Sequence, residues 1–369
     1  MPASDLWFVV PGDPDQNTGG YRYVQRLVAA SRLAGVNARV HGLAGCFPRP
    51  DQTATDAMHG FLASLPENTF VVLDGLAMGA MPDVLERHRT RLQLVALVHH
   101  PLADETGLSQ EQQAWFREAE RQSLAQVSRV VTTSEYTARR VQQEYGVPSW
   151  KVTTAQPAVD ALFFQMERDH LDKPMRLLCV GHLSPRKAQH QLVDALATLR
   201  ELPWRCTLVG AEDRDPDYAL AVRSAIARHR LADRIQLLGE LSEPALEEAY
   251  RRADLFVFPS LYEGYGMVID EALAAGLPVL SSDGGALALT TSKPGARNFP
   301  AGNVKALASE LRSLLTNTAD FSELARRARA HRSDIRQWSD ATREFLGSLG
   351  FSEEGDPARF SGQWLEARE

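Results

Sequence analysis

A glycine-containing turn ahead of a helix could bind a phosphate group. Gly264 and Gly266 follow an apolar strand candidate, and a helix is predicted to start near Met267. Such a turn exposes backbone N–H groups at the positive end of the helix dipole, and these groups bind phosphate. Glu263 before the turn and Glu271 in the helix add two carboxylates, which accept hydrogen bonds from sugar and ribose hydroxyls. An ordinary helix with two solvated glutamates is the structural alternative.

The segment from Val180 to Lys187 offers cations for the same kind of ligand. Lys187 is a cation that could bind a small phosphorylated ligand, although a surface lysine would give the same pattern. His182 supplies an imidazole that is only partly charged near neutral pH, and Arg186 is a further cation of the segment. The segment therefore predicts a site for an anionic group, with Lys187 as its main cation.

The first half of the chain contributes two candidates beside predicted strands. Gly19 and Gly20 lie between the first strand and the first helix, where a Gly-Gly turn is by itself a weak signal, and a turn that only reverses the chain is the alternative. His99 and His100 follow the strand predicted over Leu92–Val98, at the edge where open α/β sheets bind ligands. For an isolated histidine the alternative is a packed or capping imidazole, and the position at a strand end favours a ligand for His99.

Composition excludes several classes of protein. A chain of 369 residues with 44% hydrophobic residues predicts about two domains, each with its own core, and excludes a disordered chain. The formal net charge of −7 argues against a nucleic-acid-binding protein, because phosphate neutralisation requires a basic surface. No GxGxxG, GxxxxGK, HExxH or GxSxG motif is present, so dehydrogenase, P-loop kinase, zincin and serine hydrolase functions have no sequence support.

The sequence also gives no support for a metal site. Cys46, Cys179 and Cys206 are an odd number without CxxC spacing, and we expect buried free thiols. The acidic segment from Asp213 to Asp217 resembles an Asp-x-Asp metal motif, yet its place before a helix favours a capping turn. The segment from Thr133 to Tyr136 is likewise predicted to begin a helix. We therefore expect no metal cofactor.

The sequence also predicts a cytoplasmic protein. No apolar run reaches the roughly 18 residues of a membrane-spanning helix, and the N-terminus has no basic region before its apolar stretch. The helix predicted over Gln110–Gln126 carries Trp115 and charges of both signs, which favours a core-packed helix. Peripheral contact with a membrane stays open.

The candidate residues are positioned by alternating strands and helices, a pattern typical of parallel α/β layers. The pattern pauses at a polar segment, Pro157–Pro174, which is predicted to link two halves. We predict an N-terminal Rossmann-like domain over 1–165, a C-terminal one over 174–335, and a helical segment over 336–369, including Trp364, that packs back on the first domain. The predicted elements are Leu6–Val10, Tyr21–Ala34, Phe70–Leu73, Leu92–Val98, Val130–Thr133, Arg176–Val180, Gln189–Leu199, Arg205–Val209, Tyr218–Arg228, Ile235–Leu238, Pro244–Arg252, Leu255–Phe258, Met267–Ala275, Pro278–Ser281, Phe321–Ser333 and Ser339–Leu349.

The glycine-turn segment resembles the family 4 retaining glycosyltransferases of the GT-B fold, whose mark is two glutamates separated by seven residues. The resemblance is best from about Met175 to Ala288 and looser in the first half. It implies an α/β protein with two Rossmann-like domains facing across a cleft. It also implies that Glu263 contacts the donor sugar, that Gly264–Met267 hold the diphosphate through their backbone, and that Glu271 accepts the ribose hydroxyls.

The same resemblance assigns the remaining candidates and marks three departures from the family pattern. Lys187 matches the lysine that neutralises the donor diphosphate, and His99 matches a histidine beside the transferred sugar. Gly19 and Gly20 stand where the family has its Gly-Gly loop, whose backbone approaches the donor phosphate or the acceptor. His182 stands where the family has arginine and Ala188 where it has glycine, so the leaving group needs another donor, for which Arg186 is a candidate. Tyr265 replaces phenylalanine, a change of little effect if the donor contacts only the backbone.

The implied function is transfer of a sugar from a nucleoside-diphosphate sugar to an acceptor hydroxyl with retention of configuration and no metal. The sequence does not distinguish a lipid, a polysaccharide or a small metabolite as acceptor, nor does it identify the base or sugar of the donor. A sugar-nucleotide epimerase on the same fold and a non-catalytic sugar-nucleotide sensor are the alternatives.

Overall fold

The computed structural model describes residues 5–166 and 174–351, which fall into two compact units. The first unit runs to Pro157 and is completed by residues from Trp338 onward, and the second spans Ala158–Gln337. The division lies at the start of the predicted linker. Residues 167–173 of that linker, and the tail with Trp364, lie outside the described residues.

The first unit is built around a six-stranded parallel sheet with the strand order β2-β1-β3-β4-β5-β6. Its central strands are mostly apolar because helices flank a parallel sheet; in β4, for example, every residue after Gln93 is buried. The elements are β1 (Asp5–Pro11), α1 (Gly19–Leu33), β2 (Asn37–Leu43), α2 (Gln52–Ser64), β3 (Phe70–Asp74), α3 (Gly75–Met78), α4 (Pro82–His88), β4 (Gln93–Val98), α5 (Gln110–Gln126), β5 (Arg129–Thr132), α6 (Glu135–Tyr145) and β6 (Val152–Thr154).

The second unit repeats this plan, with the strand order β12-β11-β10-β7-β8-β9 in a parallel sheet. Its elements are α7 (Ala161–Phe164), β7 (Met175–Val180), α8 (Gln189–Ala197), β8 (Trp204–Val209), α9 (Pro216–Arg228), β9 (Ile235–Leu237), α10 (Glu243–Arg252), β10 (Leu255–Phe258), α11 (Met267–Ala274), β11 (Val279–Ser282), α12 (Leu287–Thr290), β12 (Ala296–Phe299), α13 (Val304–Thr316) and α14 (Thr318–His331).

The last described helix, α15 (Trp338–Leu349), belongs to the first unit. Phe345 of this helix stacks on Phe8 of β1 with ring centroids 5.5 Å apart, and Trp338 lies against Tyr23 of α1. Arg129 of β5 donates a hydrogen bond to the Ser348 carbonyl. Aromatic packing and a hydrogen bond from the Arg129 side chain to a backbone carbonyl therefore hold this helix to the first unit, although it is distant in sequence.

The predicted strands and helices are confirmed to within a few residues, and others are additional. The edge strands β2, β6 and β12 were not predicted, because short or polar edge strands lack the apolar pattern of buried ones. Helices α2 and α13 were also missed. The two predicted capping turns are confirmed: Asp215 accepts a hydrogen bond from the Tyr218 N–H and Ser134 accepts one from the Thr137 N–H.

One cysteine differs from expectation. All three thiols are free, and Cys179 and Cys206 are buried in β7 and β8, as predicted. Cys46 is exposed, because it lies in the polar loop after β2 instead of in a strand. Among the described residues no helix is long and apolar enough to cross a membrane.

Candidate functional site

The candidate residues lie at the carboxyl ends of the parallel strands, at or near the point of each sheet where the chain reverses its direction of winding. In the second unit β7 pairs with β8 on one side and with β10 on the other. The loops that leave the carboxyl ends of β7 and β10 therefore meet, and such switch points bind ligands in α/β sheets. Backbone contacts join the two loops, since the Leu261 N–H donates to the Arg186 carbonyl at 2.7 Å.

Glu263 is the centre of the second unit's site. Its Oε1 lies 2.6 Å from Lys187 Nζ and 3.0 Å from Arg186 Nη1, and the Ser260 hydroxyl donates to the same oxygen at 2.6 Å. The Glu263 side chain is buried, with 7% of the residue exposed. The structure thus brings the predicted Lys187 and Glu263 together, with 12% of the Lys187 side chain exposed, and adds Ser260, which the sequence did not indicate.

The two cations control the charge of this carboxylate. Burial by itself would raise the pKa of Glu263, but Lys187 and Arg186 outweigh burial and lower the pKa to about 2. Burial lowers the pKa of Lys187, and Glu263 opposes that shift. With Glu263 ionised and both cations charged, the three groups carry one net positive charge in a buried place. Such a charge favours binding of an anion.

His182 does not supply the charge of the arginine that the family pattern places there. Burial, followed by the nearby Lys187 and Arg186, lowers its pKa to about 4, so the imidazole is neutral near pH 7. Arg186 instead brings its guanidinium to Glu263 and also donates to the Tyr262 carbonyl at 2.8 Å. The second cation of the site is therefore Arg186.

The glycine turn forms as predicted, with Gly266 as the residue that caps the N-terminus of α11. Gly266 adopts a φ of +92°, and a Cβ there would lie 2.6 Å from Leu287 Cδ2, so both backbone conformation and space require glycine. Met267 is the first helical residue, and Gly264 is buried in the turn before it. The Ala286 N–H donates to the Glu263 carbonyl at 2.8 Å and fixes the turn from the other side.

Tyr265 uses its side chain as well as its backbone. Its hydroxyl donates to Asp270 Oδ2 at 2.6 Å, and Lys293 forms an ion pair with the same carboxylate. The Thr290 hydroxyl also donates to the Tyr265 carbonyl at 2.5 Å. The replacement of phenylalanine is therefore accompanied by a buried polar network that local sequence reasoning missed, because Lys293 lies on a distant loop.

Glu271 lies one turn into α11 and is buried, with 3% exposed. Its Oε2 accepts a hydrogen bond of 2.9 Å from the Tyr250 hydroxyl of α10. The position one helical turn beyond Met267 agrees with the predicted helix. Tyr250 was not singled out in the sequence, where it reads as one apolar position of an amphipathic helix.

The first unit gathers its candidates around His99, which follows β4. His99 Nε2 lies 3.3 Å from Asp74 Oδ2, and this buried nitrogen makes no hydrogen bond to any residue within 5–166 or 174–351. Tyr23 meets the imidazole edge to face at 5.7 Å. A Cβ on Gly20 would lie 3.3 Å from His99 Nε2. Asp74 is the last residue of β3, the strand beside β4. Its place as an acidic residue at the end of an apolar strand is a sequence signal that could have identified it as a site residue.

The Gly-Gly pair lies in a helix and not in a loop. Helix α1 begins at Gly19, with Thr18 as its capping residue, so Gly19 and Gly20 are its first two residues. The predicted start of this helix, Tyr21, was therefore two residues too late. Glycine disfavours helix interiors, which led to the prediction of a turn, but it is tolerated in the first turn of a helix. His100 points to another partner, Glu105, at 3.4 Å.

The described part of the chain holds no group of three or more His, Cys, Asp and Glu side chains that could bind a metal ion. The segment from Asp213 to Asp217 instead caps α9 through Asp215, as described above.

Comparison with known proteins agrees with this geometry. Residues 164–331 match the family model described as "Glycosyl transferases group 1", and residues 73–161 match that of "Glycosyltransferase Family 4". The first match contains the cluster around Glu263, and the second contains Asp74 and His99. The first match covers the whole sheet of the second unit, and the second match covers strands β4 to β6 of the first unit.

Individual relatives are distant. A glycogen synthase of Mycobacterium tuberculosis is 29% identical over 213 residues, which are 57% of this chain and 50% of that protein, so the chain spans about half of its length. The structure of sucrose-phosphate synthase from Thermosynechococcus elongatus aligns with a TM-score of 0.77 at 18% identity, over 94% of this chain and 98% of the other. The Anabaena protein HepE, solved in complex with UDP-glucose, aligns with a TM-score of 0.70 at 18% identity, over 94% and 99%. These two likenesses concern the fold. The chain belongs to the family 4 glycosyltransferases and has the GT-B fold.

Proposed function

We propose that this protein transfers a sugar from a nucleoside-diphosphate sugar to an acceptor hydroxyl, with retention of configuration. One observation carries the proposal: two cations, Lys187 and Arg186, converge on the single carboxylate of Glu263 at the switch point of the second sheet. Their excess positive charge lies where the loop after β7 meets the loop that precedes α11, and the N-terminus of α11 adds its own amides and dipole. A diphosphate is the ligand that complements this arrangement.

The chemistry follows from where charge develops. When the bond between the anomeric carbon and the diphosphate oxygen breaks, positive charge grows on the sugar ring and negative charge on the leaving group. Fixed donors aimed at the leaving group lower the barrier. Lys187, Arg186 and the amides of Gly264–Met267 are the groups that we assign to this role, in a reaction without a metal. The leaving phosphate takes the acceptor proton during attack on the same face.

Two side chains are assigned to the sugar. Glu263 is held ionised, so it can accept hydrogen bonds from sugar hydroxyls while its other contacts fix its orientation. His99 offers a buried ring nitrogen that hydrogen-bonds to no described residue. We assign it to the transferred sugar by the family resemblance and treat neither residue as a nucleophile.

The donor class is supported by the likeness to HepE, which was solved with UDP-glucose. The base and sugar of this protein's donor are left open, as is the acceptor. A cytoplasmic location is part of the proposal, since the sequence first suggested it.

A thermal-shift screen with UDP, GDP, ADP and their glucose and mannose conjugates tests the donor first, because a ligand that binds the native state raises the melting temperature. The best donor is then incubated with lipid, polysaccharide and small-molecule acceptors, and the products are followed by NMR. We expect a new glycoside with the anomeric configuration of the donor. An inverted product would contradict retention.

The same experiment separates the alternatives. Interconversion of donor sugars without acceptor would show an epimerase, and donor binding without turnover over the whole acceptor panel would favour a sensor. Failure of every nucleoside diphosphate to bind would remove the proposal altogether.

A further inference from the structure

Tyr250 is a buried tyrosine that none of the assigned roles uses. It is fully buried in α10, and its ring is held by Phe163, edge to face at 5.1 Å, and by Phe256, stacked at 5.8 Å. The hydroxyl at the end of this clamped ring donates to Glu271 Oε2 at 2.9 Å. A rigid donor is thus aimed at one oxygen of one carboxylate.

Burying the Tyr250 hydroxyl and the Glu271 carboxylate costs free energy, so their arrangement points to a role. A hydroxyl or a carboxylate removed from water needs hydrogen-bond partners, and each of these groups finds one in the other. A carboxylate group has about four acceptor sites on its two oxygens, and the bond from Tyr250 uses one of them on Oε2. What the bond removes is rotational freedom of the carboxylate.

The place of Glu271 on α11 fits a pentose. Glu271 is four residues beyond Met267, which corresponds to about 6 Å along the helix. If the first amides of α11 hold the diphosphate, the sugar that carries the base follows the phosphates at about this distance. The two adjacent hydroxyls of this sugar would then meet the carboxylate of Glu271, which Tyr250 of α10 already orients.

We propose that Tyr250 is a positioning residue: it orients Glu271 toward the ribose hydroxyls and thereby sets the preference of the site for ribonucleotide over deoxyribonucleotide donors. This inference rests on the proposed function. Tyr250 touches no substrate in this scheme and acts only through Glu271. Its loss should therefore change ribose recognition more than it changes the affinity for the diphosphate.

The test compares affinities for ribose and deoxyribose forms of one nucleotide. The nucleoside diphosphate that binds best among UDP, GDP and ADP, and its 2′-deoxy and 3′-deoxy forms, are titrated calorimetrically into the wild type and Tyr250→Phe. Phenylalanine keeps both ring contacts, and a melting curve records that the variant is folded. The matched control is Tyr218→Phe, which removes a buried hydroxyl that hydrogen-bonds to His190 Nδ1 at 2.8 Å in the same unit.

We expect the wild type to prefer the ribose form by about tenfold or more, as for hydrogen bonds to a charged group. The preference should fall to about threefold or less in Tyr250→Phe and stay unchanged in Tyr218→Phe. In Glu271→Gln the preference should be lost, and adding Tyr250→Phe to that variant should have no further effect, because the two residues act as a unit.

A preference that is equal in the wild type and in folded Tyr250→Phe would overturn the inference while leaving the proposed function intact. An equal loss of affinity for ribose and deoxyribose forms would also overturn it, since that result indicates a merely structural role. If no nucleoside diphosphate binds the wild type, the proposed function fails, and the inference fails with it.

Discussion

The two candidate clusters lie at the carboxyl ends of neighbouring parallel strands, β7 and β10 in the second unit and β3 and β4 in the first, and they differ in charge. In the second unit, Lys187 and Arg186 meet one carboxylate within 3.0 Å, and the group carries a net positive charge. In the first unit, His99 faces the carboxylate of Asp74 at 3.3 Å, and no lysine or arginine takes part in that contact. Both sheets therefore present functional side chains at the same edge, and the two basic side chains distinguish the cluster of the second unit from the histidine–aspartate pair of the first.

The histidines of the two clusters illustrate the same difference. His182 lies near two cations and is neutral, because burial and those cations lower its pKa to about 4. His99 lies near an anion, with its ring nitrogen buried beside Gly20. The position of a histidine at a strand end therefore does not determine its role, because the charges around the imidazole control its protonation.

The largest effect should come from Lys187→Met. Removing one donor to a leaving group costs about 10²–10³ in rate, so we expect kcat/KM of the wild-type reaction to fall by about that factor. Arg186 and Ser260 still contact Glu263 and should keep the variant folded. Steady-state kinetics and a melting curve measure both quantities.

The control for this variant is Lys151→Met in the first unit. Lys151 is also largely buried, but its ammonium donates to the Leu124 carbonyl, away from both clusters. We expect a change in stability with kcat/KM preserved. If both lysine variants lost activity equally, the charge difference between the two clusters would have no functional meaning.

A pH-dependent effect should follow from His182. Its pKa is lowered from 6.5 to about 4 in the folded protein, so the unfolded chain binds more protons between these values. The free energy of unfolding should therefore decrease as the pH falls from 6.5 toward 4. For this group alone we expect a loss of about 2–3 kcal/mol between pH 7.5 and pH 4.5.

Urea denaturation of wild type and His182→Gln at these two pH values measures that contribution. The variant should lose less stability than the wild type on acidification, by about the amount given above. Parallel losses in both proteins would show that His182 is not held neutral and would contradict the distinction drawn between the two histidines.

A smaller effect is expected from Gly20→Ala in the first unit. The new Cβ would lie 3.3 Å from His99 Nε2, so the imidazole must move by a few tenths of an ångström. We expect kcat/KM to fall about tenfold, because small displacements of positioning groups reduce rates strongly. Stability should be unchanged or higher by up to about 1 kcal/mol, since alanine favours a helix.

Gly60→Ala in α2 is the matched control, because a Cβ there meets nothing within 4 Å. It should share any gain in melting temperature and keep full activity. Full activity of Gly20→Ala as well would mean that the position of His99 does not matter for transfer.

The smallest effect on activity should come from Tyr265→Phe. The backbone N–H stays in place and Asp270 retains Lys293, so kcat/KM should change by less than about threefold. Loss of the hydroxyl that donates to Asp270 should lower the free energy of unfolding by about 1 kcal/mol. A large loss of activity with unchanged stability would instead give the Tyr265 side chain a role in the reaction.

Local features of the site followed from the sequence alone. The strand, the glycine turn and the helix from Leu255 to Ala274 form where they were predicted, because apolar patterning and glycine conformation act over a few residues. The capping residues Ser134 and Asp215 were predictable for the same reason. The candidate cation Lys187 and the two glutamates were also recognisable as a pattern.

Only the tertiary structure decided which of these groups act together. Lys187 and Glu263 are 76 residues apart in the chain, and they meet because β7 and β10 are neighbouring parallel strands. Packing among elements that are distant in sequence likewise keeps His182 neutral and brings the Tyr250 hydroxyl to Glu271, to which it donates a hydrogen bond. Sequence patterns determine local conformation over a few residues. The pairing of charged side chains, their burial and their pKa values depend on long-range packing, and these properties decide which groups can take part in the chemistry.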